Sequence, residues 1–196
     1  MKRFFYILTS LLACVVLFGC AHPINLSPDT KAIKNDGTPT INKQVGYYLP
    51  ETAKALEVTT PGGGGDKVRY FPYRDLEPGL YQALSSVFSG VTKVKDPKDA
   101  ADLKSKGIAL LITPEIVTSS SSESAFTWPP TKFGIQLTCA ITDGDGKTLE
   151  TVSVRGEGQA EFSEFKHNFY LSAVRASNDV LDKLIKALGE AKTLQQ

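Results

Sequence analysis

The run KFGIQLTCAIT (132–142) restricts the fold more than any other stretch of the chain. Phe133, Ile135, Leu137, Cys139 and Ile141 fall in one row, and Gly134, Gln136, Thr138, Ala140 and Thr142 in the other. That period of two is a strand with one face on a core. TDGDGK (142–147) follows, with Asp-Gly twice, which is a strong hairpin signal. The returning strand sets Val152, Val154, Ala160 and Phe162 in one row, with Gly156 and Gly158 between them. Arg155, Glu157 and Glu161 take the other row. Downstream, residues 169–188 form an amphipathic helical pattern with Ala173, Ser177, Val180, Leu181, Leu184 and Leu188 on one face. Asp179–Lys183 and Asp182–Lys186 are i,i+4 pairs in the favoured order, acid first. This helix should lie across the sheet and cover its apolar face.

The preceding half alternates helices and strands. QVGYYLP (44–50) reads as a strand that ends at a proline, ETAKALEV fits helix or strand, TTPGGGGDK (59–67) is a loop, and KVRYFPY (67–73) is a strand limited by Pro72. Leu80, Ala83, Leu84, Val87 and Phe88 share one helical face over 76–90, closed by Gly90. VTKVKD (91–96) is a short strand. PKDAADLKSKG (97–107) is a short helix with acids early and lysines late, as the macrodipole favours. IALLITPEIV (108–117) is nearly continuous apolar, the pattern of a strand buried on both faces, with a bend or bulge at Pro114. The order of elements predicts an α/β (α+β) two-layer sandwich. It has a mixed sheet, a long C-terminal hairpin pair and a C-terminal amphipathic helix packed on one face.

The N-terminus sets the compartment. Lys2 and Arg3 precede an apolar run from Phe4 to Phe18, broken only by Thr9 and Ser10, and Gly19 stands before Cys20. The charge, apolar core and small-residue exit are those of a secretory signal. The run is about 15 residues, short of the ~20 a spanning helix needs. Leu17-Phe18-Gly19-Cys20 resembles the lipobox of bacterial lipoproteins, with a bulky Phe18 as its one departure. The resemblance implies a diacylglyceryl group on the Cys20 thiol, cleavage before Cys20 and acylation of the new amino group. Ala21 after the cysteine resembles the default sorting to the outer membrane, facing the periplasm, with the cell surface left open. Leu11-Leu12-Ala13-Cys14 is the weaker candidate, because its apolar core would be too short and the new N-terminus would start on an apolar run. Residues 1–19 are therefore expected to be the signal, and 20–43 a lipidated, flexible tether with three prolines. A single domain is expected at 44–190 and a tail at 191–196. A tether of ~23 flexible residues spans roughly 25–30 Å, enough to stand the domain off the membrane.

Charge excludes some partners. Without the signal, 20 basic residues face 21 acidic ones, and no polybasic patch stands out. That is no footprint for nucleic acid or for a basic membrane helix. Cys139, on an apolar face, is expected to be an inert buried thiol, so no intramolecular disulfide forms once Cys14 is removed and Cys20 modified.

Several patterns fall short of a chemical site. GGGG (62–65) before Asp66 and Lys67 lacks the Ser or Thr and the helix of a P-loop, so a flexible loop is expected. DGDG (143–146) has Lys147 and Val154 where a calcium loop needs oxygen ligands. His167 stands without a G-x-S-x-G elbow or a second metal-ligand type near it, and His22 is expected to be a solvated side chain. No enzyme activity, cofactor or metal is expected. TSSSSESAFTWPPT (118–131) offers a candidate partner-binding loop with Phe126, Trp128, Pro129 and Pro130. The opposing expectation is that Trp128 packs at the sheet edge and caps the core.

The pattern W-P-P-x-x-F, I-x-D-x-D-G-K and G-x-G-x-A-x-F, followed by the C-terminal helix, resembles small proteobacterial outer-membrane lipoproteins of the YajG-like or assembly type over 110–189. It implies an α/β envelope lipoprotein and brings no catalytic residue. The expected function is a non-catalytic binding or assembly component. It would be anchored in the lipid bilayer through Cys20, with an envelope protein or glycan as partner. The alternative is a carrier holding a small or lipidic ligand in a sheet–helix cleft. A filled core would favour the first, and a large apolar cavity under the C-terminal helix the second.

Overall fold

The computed structural model describes residues 21–33 and 39–195. The expected signal and Cys20 lie outside these residues. The chain runs β1 (Ala21–Pro23), β2 (Ile41–Tyr48), α1 (Glu51–Lys54), β3 (Val58–Pro61), β4 (Lys67–Tyr70), α2 (Pro72–Val87), β5 (Phe88–Val94), α3 (Ala100–Ser105), β6 (Leu110–Ser121), β7 (Lys132–Asp143) and β8 (Thr148–Gln159). A 3₁₀ turn (Phe162–Lys166), α4 (Leu171–Glu190) and α5 (Lys192–Gln195) complete it. The fold is an α/β two-layer sandwich built on a mixed sheet.

The main sheet has the order β5-β2-β6-β7-β8. β5, β2 and β6 are parallel, because α2 and α3 carry the chain back between them. β6, β7 and β8 form the antiparallel meander. Phe133, Ile135, Leu137, Cys139 and Ile141 are all buried. They meet the apolar faces of α2 and α4, where Leu80, Leu84, Val180, Leu181 and Leu184 are buried. A smaller cluster of Val94, Leu103, Ile108 and Leu111 lies apart from this core, under α3.

α4 sits directly on the backbone of β8. A Cβ on Gly156 would lie 2.4 Å from Ala176 O, and one on Gly158 would lie 2.0 Å from Ser172 O. The two glycines in the apolar row are where the helix touches the strand. Cys139 is buried and free, and burial pushes its thiol up to about 12. In the native protein an alkylating reagent at mildly alkaline pH should leave the Cys139 peptide unmodified, and denaturant should expose it fully. Peptide mass mapping reads both states.

The structure differs from the sequence reading at several places. Pro72 opens α2, where the missing N–H costs nothing, so the helix starts before Leu76. α2 passes straight into β5 at Phe88, and Gly90 is a strand residue against Gln44, not a helix stop. β6–β7 pairing runs without a shift from Leu110 to Ser121, so Pro114 makes no bulge. β2 covers β6 only over Leu110–Ile112, and Pro114 lies beyond that edge, where no ladder bond to β2 is lost. The serine run extends β6 to Ser121, because β7 supplies a backbone partner for every residue. Phe162 lies past the end of β8 and is exposed, not in the apolar row.

The largest difference concerns residues 21–33. Composition predicts a tether there, yet β1 pairs in parallel with β4, and Ile24, Leu26 and Ile33 are buried. Ser177 Oγ donates to Leu26 O at 2.6 Å, and Pro28 packs against Gly79. Two prolines and scattered polar residues hid a two-residue alternation whose partner strand lies more than 40 residues away. At the other end, Leu194 of α5 is fully buried, and Thr193 Oγ1 donates to Glu150, where a tail was expected.

Candidate functional site

One end of the molecule gathers β1, the glycine turn after β3, the β6–β7 loop and the segment between β8 and α4. The glycine turn is built for contact. Gly63 N donates to Trp128 O at 2.8 Å, and Gly64 N donates to Ser124 O at 3.2 Å. A Cβ on Gly63 would lie 1.8 Å from Thr127 O, while Gly64 and Gly65 hold φ of +64° and +86°. The first pair of glycines gives close approach and the second gives left-handed backbone. The loop expected to be flexible is thus clamped to the β6–β7 loop. Ser120 Oγ, which donates to Pro61 O at 2.5 Å, ties the two strands behind it.

The four candidate loop residues separate. Pro129 and Pro130 are buried, and Ser172 Oγ from the first turn of α4 donates to Pro130 O at 2.6 Å. Trp128 is half-buried against the main core. Phe126 alone stands out, 97% exposed. Its backbone is held by serine turns, with Ser124 Oγ accepting from Phe126 N at 3.2 Å. The Trp128 ring stacks on His22 at a centroid distance of 4.4 Å and meets Phe169 at 5.4 Å. His22 Nε2 lies 3.2 Å from Asp66 Oδ2. His22 is therefore packed and paired, contrary to the solvated side chain expected of it. Nothing in the sequence signalled this, because Asp66 and Trp128 reach His22 only through tertiary pairing.

The segment after β8 is pinned beside this loop. Ala160 N donates to Thr131 O at 2.9 Å. Arg175 donates to both Glu164 oxygens, at 3.1 and 2.7 Å, and to Gln159 O at 2.6 Å. The Arg175 hydrogen bonds, helped by the Glu161 backbone N–H, hold the Glu164 carboxyl at about 2, well below the usual carboxylate range. A depressed carboxylate favours the folded state above its unfolded pKa and loses that effect as pH falls through the folded one. Acidification from 4.5 toward 2 should therefore lower the protection of the Glu164 amide, relative to its intrinsic exchange rate at each pH, while the interior of α4 stays protected. Equal protection of Glu164 across that range would show that the ion pair does not hold the turn.

On the sheet face away from α4, an open groove of about 620 Å³ is lined by Ser119, Ser121, Gly134, Arg155 and Glu157 among others. Arg155 Nε pairs with Glu157 Oε1 at 3.0 Å across its floor. The groove mixes polar and apolar surface, with Lys132 and Arg155 beside Glu157. His167 is exposed, and among the described residues no three His, Cys, Asp or Glu side chains converge as a metal site. Nor is any helix among them long and apolar enough to cross a membrane.

No known family model and no curated protein matches the chain. Among solved structures it is similar to a Xanthomonas campestris protein of the family DUF330. Identity is 10%, covering 91% of this chain and 95% of that one, with a TM-score of 0.45. It is also similar to a minor lipoprotein from Acinetobacter baumannii, at 15% identity over 79% of this chain and 93% of that one, with a TM-score of 0.43. Likeness at this level concerns general shape and transfers no residue or activity to this chain.

Proposed function

We propose that the chain is a lipoprotein of the bacterial outer membrane that faces the periplasm and works by binding another envelope component, without chemistry of its own. The observation that carries this reading is Leu17-Phe18-Gly19-Cys20 at the end of a signal-like run. One acyl chain gives marginal membrane binding, and two or three give stable anchoring. The carrier reading requires space under the C-terminal helix. Contact between α4 and the β8 backbone at Gly156 and Gly158 speaks for a filled interior there. A partner protein or glycan would then meet an outer surface, and the open groove beside Arg155 offers it a concave one.

Replacing Cys20 by Ala should abolish incorporation of labelled palmitate and move the protein out of the outer-membrane fraction. Unchanged labelling and fractionation would overturn the anchor. Crosslinking in intact cells, followed by identification of the captured component, tests the binding role.

A further inference from the structure

We propose that the aromatic end of the domain rests in the headgroup region of the membrane that Cys20 enters, so that the lipid surface itself occupies this face. The inference rests on the reading of Cys20 as the acylated residue. It arises because the expected tether is absent over residues 21–33. Ala21 already stands in β1, in register with Lys67. Consecutive Cα atoms are ~3.8 Å apart, so the attachment point is one step from a fixed strand and two from His22. His22 in turn stacks on Trp128. With no slack in the chain, the end of the molecule that carries Ala21 is the end that meets the bilayer.

That end has the composition such a position calls for. Of seven large exposed hydrophobic residues among those described, four belong to this end: Phe126, Phe162, Phe169 and Tyr170. Hydrogen bonds from Ala160 N to Thr131 O and from Ser172 Oγ to Pro130 O hold the 160–172 segment against the loop that carries Phe126 and Trp128. Trp and Tyr favour the membrane–water interface, where an apolar body and a polar edge are both accommodated, and exposed Phe rings bury at the boundary between headgroups and acyl chains. Several charged groups around them have partners: Asp66 meets His22, Lys132 pairs with Glu123 and Arg175 with Glu164. Pairing reduces the cost of bringing them close to lipid. The glycine clamp keeps Phe126 at a set position on the loop.

The chain has one tryptophan, and it is Trp128, so the fluorescence of the unaltered protein reports from this face. The full-length protein, purified from bacterial membranes, is reconstituted into vesicles of phosphatidylethanolamine and phosphatidylglycerol with some acyl chains brominated near the headgroup. Trp128 emission should be quenched by the brominated lipid and shielded from a water-soluble quencher. Replacing Phe126 and Phe162 by Ser should weaken the lipid quenching while the circular dichroism stays unchanged. Flotation with the vesicles and the mass of the N-terminal peptide report the anchor separately. A protein that is acylated and floats, but whose Trp128 is unquenched by lipid and open to water, overturns this proposal and leaves the anchor standing. That is also the outcome expected if a protein partner covers the face. Lipid quenching in a floating protein with unmodified Cys20 supports the face and removes the acylation reading. A protein that neither floats nor shows quenching overturns both.

Discussion

Gly158→Ala should destabilise the domain by about 3 kcal/mol or more, at or beyond the upper end of the ~1–3 typical of overpacking. The added carbon would sit 2.0 Å from Ser172 O and 2.5 Å from Ala176 N, both backbone atoms of α4. A flexible side chain could swing away, but a helix backbone must move as a body, and the buried Leu181 and Leu184 move with it. Gly156→Ala should behave alike, with Ala176 O at 2.4 Å and Val180 N at 2.5 Å. Gly144→Ala is the control, because a Cβ there meets nothing within 4 Å. It should change stability by less than about 0.5 kcal/mol. Thermal melts of the three variants check this, at roughly 2–4 °C for each kcal/mol in a domain of this size. A Gly158→Ala protein that melts with the wild type would mean that α4 does not press on β8, and would revive the cleft required by a ligand carrier.

Trp128→Ala should cost about 2–3 kcal/mol, somewhat below the ~3–5 typical of a fully buried tryptophan. The ring packs on the core, on Phe169 and on His22, so its loss removes one of the contacts that hold residues 21–26 against the body. Amide exchange at Ile24, whose N–H donates to Arg69 O at 3.0 Å, should rise with it. Phe126→Ser, two residues earlier, should leave the melting temperature within the scatter of surface substitutions. The pair of variants separates the structural part of the loop from the exposed part. If Trp128→Ala left both the melt and the Ile24 amide unchanged, the capping role would fail and Trp128 would join Phe126 as a surface residue.

The contrast between these two aromatics shows where sequence reading reached its limit. Trp128 and Phe126 stand in one serine-rich stretch, where a partner-binding loop and a core-capping Trp128 were both open readings. Their fates divide because Gly63 and Ser172 grip the backbone at Trp128 and Pro130, and those partners lie some 65 residues before and 42 after in the chain. The four consecutive glycines were visible as an oddity, but their purpose depends on Thr127 O and Trp128 O approaching from another element. Local periodicity, by contrast, served well in the C-terminal half. The alternation of 132–142, the Asp-Gly turn and the helical face of α4 each depend on neighbours within a few residues, and all three appear as read.

By itself, the amino-acid sequence determined the two-layer α/β architecture, the buried thiol at Cys139 and the motif at Cys20 on which the anchoring proposal stands. These follow from side-chain period, turn chemistry and local composition, which a chain carries whatever surrounds it. Only the tertiary structure decided that residues 21–33 are part of the body. It also decided that α4 touches β8 through bare glycine backbone, and that His22, Trp128 and Phe169 share one end. A strand of three residues has too little local energy to declare itself and exists because β4 lies beside it. Long-range pairing of that kind turned an apparent spacer into one edge of the surface that gathers His22, Trp128 and Phe169.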